Sequence, residues 1–341
     1  MNLKFAVYNV EWMKDLFRSD GTPKQSNQGS AHDRKDGERS ELLAEVVKAI
    51  APDVLCIVEG PDTLADLSKT ASQQLEAWRD LHGLDANYRG VQGITSGGRQ
   101  ELCALYRSDK IDVVHDPETS QNKHPFGEAF LVDTTDSLIK ESYKHYRPPL
   151  ELSLRDVGTG DELARVIVAH TKSKGIFEKV DLARFEQLSE RNRKKLYAEC
   201  YSIRERCDQW LKDDPDLKLI VCGDINDGFG VDYYEQRFNR SAVEILLGDV
   251  WEPAKILQHV LPRPRLGRYG WKPSTSRFKD RVTGDMFNVL IDHVLVSRAT
   301  NFQNPLAWNP YLDDAPDEVK QLRSALKKAS DHFPVAVDVE V

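Results

Sequence analysis

The sequence predicts an α/β protein built as one domain. Three observations carry that expectation. Short apolar runs of strand length recur from one end of the chain to the other. Between them lie segments whose apolar residues fall at helical spacing. No Pro/Gly/Ser-rich linker, internal repeat or low-complexity tract divides the 341 residues, a length that α/β architectures can fill as a single unit.

Residues 3–10 alternate, with Leu3, Phe5, Val7 and Asn9 on one face and Lys4, Ala6 and Tyr8 on the other, so a strand begins at once. Asn9 is the polar intruder on the apolar face. Residues 13–38 are polar and Gly-rich and are expected to form a mobile surface loop. Residues 40–50 place Leu43, Val46, Val47 and Ile50 on one helical face, stopped by Pro52. The run VLCIV at 54–58 is continuous, as in a strand buried on both faces, and ends on Glu59. A helix is expected over 62–82, with Leu64, Leu67, Leu75, Trp78 and Leu81 inward. VIVA at 166–169 ends on His170. A long charged helix follows over 178–212, with Leu182, Phe185, Leu188, Leu196, Ile203 and Trp210 inward. LIVC at 219–222 ends on Gly223 and Asp224, IDHVLVS at 291–297 alternates, and Ser330-Asp331-His332 opens the final strand.

Composition narrows the function classes. With 40% hydrophobic and 30% charged residues, a sizeable core is expected and disorder is excluded. The 47 basic residues against 55 acidic ones give a net charge of -8, which argues against coating DNA or an anionic membrane by bulk charge. A local basic groove remains compatible with it. No segment approaches the roughly 18 to 20 consecutive apolar residues of a membrane span. The N-terminus carries neither the apolar run nor the cleavage site of a signal peptide, so a cytoplasmic protein is expected. Five cysteines, odd in number and without a CxxC pair, fit free thiols in a reducing compartment. Cys56 and Cys222 sit inside apolar runs and read as core.

The polar residues at strand ends carry the chemistry. Asn9, Glu59, His170, Asp224, Asp331 and His332 come from distant segments, yet each begins or ends an apolar strand. Singly, such a residue merely opens a loop. Together they are the residue types that bind hard metals and shuttle protons, and a sheet can align strand ends along one edge.

In order, the chain carries YNVEW (8–12), IVEG (57–60), YRPPL (146–150), HTKSK (170–174), GDIND (223–227), IDHVLVS (291–297) and SDHFPV (330–335). This series resembles the endonuclease/exonuclease/phosphatase superfamily, the fold of deoxyribonuclease I, over residues 3–341. The resemblance implies a four-layer α/β sandwich: two mixed, mostly antiparallel sheets packed face to face, helices outside, and an active site at one sheet edge. Against a minimal family core, residues 13–38, 178–212 and 232–280 are insertions. HTKSK stands where the abasic-site repair branch carries a Tyr-and-Asn motif, so apurinic endonuclease activity is not expected.

The chemistry of the residues agrees with that implication. Phosphodiester hydrolysis needs a divalent metal, a base for water and a group to stabilise the leaving oxygen. Glu59 offers the hard carboxylate that Mg²⁺ (or Mn²⁺) prefers, and the resemblance adds Asn9 and Asp331 to the metal shell. Asp224 and Asn226, one residue apart, would point to one side and position water and phosphate, or hold a second metal. His332 is the general base or a phosphate-contacting imidazole, with Asp292 fixing its tautomer as the resemblance implies. His293 alternates to the opposite face and reads as structural. His170 would donate to a phosphate oxygen or the leaving group, with Glu101 orienting it.

Substrate contacts are readable more coarsely. Arg147 is either a bidentate phosphate clamp or a surface arginine before a strand. Lys172 and Lys174 are phosphate contacts or a solvated loop. Residues 261–281 hold seven basic residues and one acidic, interleaved with Tyr269, Trp271 and Phe278. Arg268 and Trp271 in that segment would meet a phosphate backbone and its bases, unless the segment is only a polar loop. The 191–195 cluster reads as a solvated helix face. The expected function is a Mg²⁺- or Mn²⁺-dependent phosphodiesterase cutting nucleic acid, DNA first, without membrane docking. The alternatives are a phosphatase or a phospholipid or inositol-phosphate phosphoesterase with the same site, and a catalytically silent binding module.

Overall fold

The structure, a computed structural model, describes every residue except 67, 96–99, 120–123, 177–178, 230–239, 263–264, 268–269 and 280–283. Two six-stranded mixed sheets form the frame. In the first, Asn2–Asn9 lies centrally, parallel to Val54–Val58 and antiparallel to Val335–Glu340. In the second, Leu219–Asp224 lies between Glu162–His170, to which it is parallel, and Asp292–Ser297, to which it is antiparallel. Register then fixes chemistry: Asp224 stands opposite His170 on one side and Asp292 on the other.

Alternation of side chains builds three apolar layers from these strands. Phe5, Val7, Cys56 and Val58 of the first sheet meet Val166, Val168, Cys222 and Val294 of the second, closing the sandwich. On the outer face of the first sheet, Ala6, Tyr8, Leu55 and Ile57 pack against the helices Ala31–Ile50 and Ala71–Leu81. On the outer face of the second, Ile167, Ala169, Val221 and Leu295 pack against the long helix Leu182–Asp213. The result is the four-layer α/β sandwich. All five cysteines are free and buried. Among the described residues, no helix is long and apolar enough to cross a membrane.

Three local expectations need correction. Residues 13–38 are not a mobile loop. Met13–Leu16 is a 3₁₀ turn whose Met13 and Leu16 enter the core, and the next helix starts at Ala31 under a Ser30–Asp33 capping box. Lys24 Nζ lies 2.7 Å from Asp36 Oδ2, both little exposed, and Gly37 lets the backbone of Gln25 and Ser26 lie against the helix, where a Cβ would collide with it. The expected helix over 62–82 is shorter, Ala71–Leu81, because Thr70 and Gln73 form a capping box that starts it there. Leu64 precedes it in a turn, its N–H donating to the Lys69 carbonyl, and Leu67 lies outside the described residues. In the long helix, Leu182 and Phe185 are exposed rather than inward. Its 32 residues span about 48 Å, and burial of its apolar residues begins at Leu188.

Between residues 265 and 289, four short strands make a small separate sheet. Its Ser276 bridges to His332. Thr275 Oγ1 accepts from the N–H groups of Ile291 and Asp292 at 3.1 and 3.0 Å, and Ser276 Oγ donates to the Asp331 carbonyl at 2.7 Å. Thr275 and Ser276 thereby brace the two segments that carry Asp292 and His332.

Candidate active site

The strand ends of both sheets meet at one edge. Asn9, from the first sheet, donates from Nδ2 to Asp224 Oδ2 in the second at 3.0 Å. Asn9 Oδ1 accepts the Glu11 N–H at 3.1 Å. Asp224 Oδ1 accepts the Asn226 N–H at 2.9 Å. The remaining face of Asp224 Oδ2 looks toward two imidazoles, His170 Nε2 at 3.7 Å and His332 Nε2 at 3.8 Å. These separations exceed hydrogen-bonding distance and leave room for a ligand atom between the groups.

Glu59 closes another side. Its Oε2 accepts the Trp12 N–H at 2.9 Å and Gln100 Nε2 at 2.7 Å, and Oε1 lies 3.9 Å from His170 Nε2. His332 Nδ1 bonds Asp292 Oδ2 at 2.8 Å, the contact that fixes Nε2 toward the cavity. Its backbone N–H donates to Ser330 Oγ, which donates in turn to the Asn9 carbonyl at 2.8 Å. Asp331 Oδ1 lies 3.8 Å from His332 Nε2 and is half exposed. Asn226 does not continue the extended alternation the spacing suggested: it takes φ 54° and donates from Nδ2 to the Thr171 carbonyl at 3.0 Å, yet it lines the same cavity as Asp224. Of the nine non-glycine residues with positive φ among those described, five are Glu11, Trp12, Glu59, Gln100 and Asn226, all at this edge. Such backbone costs about 1–3 kcal/mol per residue and gathers where side-chain aim matters more than local ease.

Gly223 explains the first letter of GDIN. It has φ +136°, and a Cβ there would run into the Ala169 backbone on the adjacent strand. Only glycine lets the two strands close, and that closure sets Asp224 beside His170.

Charge is strongly arranged. Burial, reinforced by Asp292 and Glu59, pushes Asp224 up to about 7 against the pull of His332. Burial likewise raises Glu59. At His332 burial opposes the imidazolium, but Asp292 and Asp224, joined by Asp331, outweigh it and lift the group to about 10. Burial holds His170 well below its ordinary range, aided by Arg147 and His332, so it is neutral. Carboxylates forced together in this way, with Asp292 Oδ1 buried and unpartnered, suit a hard divalent cation: Asp224 and Asp292 each offer an oxygen and His332 a nitrogen within 4.8 Å of one another, and Glu59 adds a further carboxylate on the same cavity.

Around this cluster opens a cavity of about 640 Å³, with Trp12 and Phe278 on its wall. Arg147 reaches it and donates to Gln100 Oε1. Lys172 lines it as well, whereas Lys174 is drawn to Asp227, 2.6 Å away. His293 is turned from the cavity and donates from Nε2 to the Asp227 carbonyl at 2.7 Å. Glu101 is buried, and its carbonyl accepts the Gly60 N–H. His170 Nδ1 has no hydrogen-bond partner, so no carboxylate orients it there. Its neighbour Gln100 is the side chain that enters the cluster. Arg268 lies outside the described residues, and Trp271 is placed only through its backbone strand, Gly270–Lys272.

Sequence reasoning missed Gln100, Tyr146, Lys195 and Glu199, all on the cavity wall. The helical spacing of Lys195 and Glu199, four apart, was the one available signal. Glu199 Oε2 accepts the Lys172 N–H at 2.7 Å, and burial pushes its carboxyl from 4.5 to about 7. The folded state therefore holds a proton there that the unfolded chain releases, so stability falls as pH rises between 4.5 and 7. Glu199→Gln is expected to flatten that decline. Urea midpoints at pH 5 and pH 8 measure it, and parallel profiles for the two proteins would contradict the assignment.

No family model matches the chain, and no curated protein matches it in sequence. Solved structures do match in shape. A mannosyl-6-phosphatase from Bacteroides thetaiotaomicron is 16% identical, with 99% of this chain and 100% of that one covered and a TM-score of 0.52. Truncated TDP2 from Caenorhabditis elegans is 14% identical, covering 100% and 98%, also at 0.52. An endonuclease/exonuclease/phosphatase family protein from Bacteroides vulgatus is 13% identical, covering 100% and 99%, at 0.51. Layer order, sheet topology and these likenesses agree: the chain has the deoxyribonuclease I-like fold of the endonuclease/exonuclease/phosphatase superfamily.

Proposed function

We propose that the protein is a divalent-metal-dependent phosphodiesterase that hydrolyses nucleic acid, DNA foremost, by water attack on phosphorus. The observation that carries this reading is the position of Asp224. It is buried, gripped by Asn9 and the Asn226 N–H, and faces both His170 and His332 across gaps of 3.7 and 3.8 Å.

The roles follow from the geometry. Asp224 accepts the proton of the attacking water, its group poised near neutrality. His332, charged through its Asp292 contact, holds a non-bridging phosphate oxygen; its raised pKa favours this over the general-base role. Asp292 is a positioning residue. His170 faces the phosphate from the opposite strand, Asn226 lies beside it, and Arg147 adds a fork of donors. Glu59, Asp331 and the Asn9 amide oxygen are the groups that would hold Mg²⁺ or Mn²⁺, which when bound neutralises phosphate charge and acidifies water.

The test is a substrate panel: supercoiled plasmid, single-stranded DNA, RNA, phosphomonoesters, inositol polyphosphates and phospholipids, each with Mg²⁺, Mn²⁺ or EDTA. Metal-dependent cleavage of DNA is the expected result. Turnover confined to the monoesters or lipids would replace the substrate class, and binding of DNA without turnover of any member would indicate a silent module.

A further inference from the structure

Besides the charged His332, three cations among the described residues line the cavity, Arg147, Lys172 and Lys195, more than one phosphodiester requires. Arg147 reaches Gln100 and so joins the Glu59 cluster. Lys172 and Lys195 stand beyond it. The exposed Tyr146 ring lies beneath two of the three, with the Arg147 guanidinium carbon 5.1 Å and Lys195 Nζ 5.9 Å from its centroid. Lys195 Nζ is 4.0 Å from Glu199 Oε1, too far for a hydrogen bond, while Glu199 spends its other oxygen on the Lys172 backbone N–H. Among the described residues, Glu199 is the one acid beside the two lysines, so positive charge is in excess on this wall. Lys195 also lines a second cavity of about 600 Å³ that runs along the long helix past Arg191 and Lys194. It stands where the two cavities meet.

We propose that Lys172 and Lys195, the latter above the Tyr146 ring, form a subsite for a second phosphate group of the substrate, adjacent to the phosphate that is cut. The inference rests on the proposed function and names a specificity-determining residue within it: Lys195. Its ammonium is aimed at the cavity without a hydrogen-bonding carboxylate, and a second phosphate supplies the missing acceptor. An ordinary helix-face pair between Lys195 and Glu199 gives no such preference, so the two readings separate by experiment.

Rates are compared on a thymidine dinucleoside monophosphate, the same compound phosphorylated at its 5′ or its 3′ end, and the trinucleoside diphosphate. The second phosphate is expected to raise kcat/KM about tenfold, the equivalent of one charge-assisted hydrogen bond. In Lys195→Ala that ratio should collapse toward one, and Lys195→Arg should restore it. The terminally phosphorylated compounds and the trinucleotide distinguish an end phosphate from an internal one. A ratio unchanged in Lys195→Ala overturns the subsite while leaving the phosphodiesterase reading intact. Failure of the wild type to turn over any of the four overturns that reading instead. Calorimetric binding of inorganic pyrophosphate then decides the subsite by itself: about tenfold weaker binding in Lys195→Ala supports it, and equal affinity overturns it.

Discussion

Asp224→Asn is expected to lower phosphodiester turnover by about 10²- to 10⁴-fold, the contribution of a positioned proton acceptor, with the fold intact. The amide matches the carboxylate in shape, and its oxygen still accepts the Asn226 N–H, while its NH2 group then faces Asn9 Nδ2 in place of an acceptor. Loss of that one hydrogen bond costs about 1–2 kcal/mol, partly offset because burial already disfavours the Asp224 charge. Steady-state rates together with circular dichroism and a denaturation midpoint make the comparison. A folded Asp224→Asn protein with wild-type turnover would remove Asp224 from the reaction.

Gly223→Ala is expected to be the most disruptive single methyl group among the described glycines. The new Cβ meets the Ala169 backbone rather than a side chain that could rotate away, and the residue must hold φ +136°. Backbone strain of about 1–3 kcal/mol adds to overpacking of about the same size. A loss of roughly 2–6 kcal/mol in urea unfolding follows from these terms. Turnover should fall as well, since the displaced strand carries Asp224 away from His170. A variant as stable as the wild type would mean that the two strands separate at little cost.

Gly223 also shows how far the sequence could be read. GDIN was legible as a motif because an apolar run stopped on two unlike residues, but the need for glycine appears only when the neighbouring strand is seen. The residues at strand ends were legible for the same reason: Asn9, Glu59, His170, Asp224 and His332 each interrupt a run that alternation or continuous burial makes recognisable, and sheet register brings them together. Gln100, Tyr146 and Lys195 reach the cavity from loops or from the middle of a helix. There local pattern records only exposure, and the neighbour across the gap is set by tertiary packing. The charged 191–195 face illustrates the difference, since one of its lysines borders the site while Arg193 is buried within 3.0 Å of Asp227. The brace formed by Thr275 and Ser276 was equally hidden, because short hydroxyl residues in a basic, Pro- and Gly-containing segment carry no periodic signal.

The central claim is that the clustered carboxylates at this sheet edge hold a divalent cation for phosphodiester hydrolysis. Its most direct measurement is the turnover of one simple phosphodiester by chelator-stripped protein, before and after Mg²⁺ or Mn²⁺ is added back, alongside Glu59→Gln. No turnover is expected after stripping, with recovery on adding either metal and a much higher metal requirement in Glu59→Gln. Turnover that persists in the stripped protein, or an unchanged metal requirement in Glu59→Gln, would contradict it.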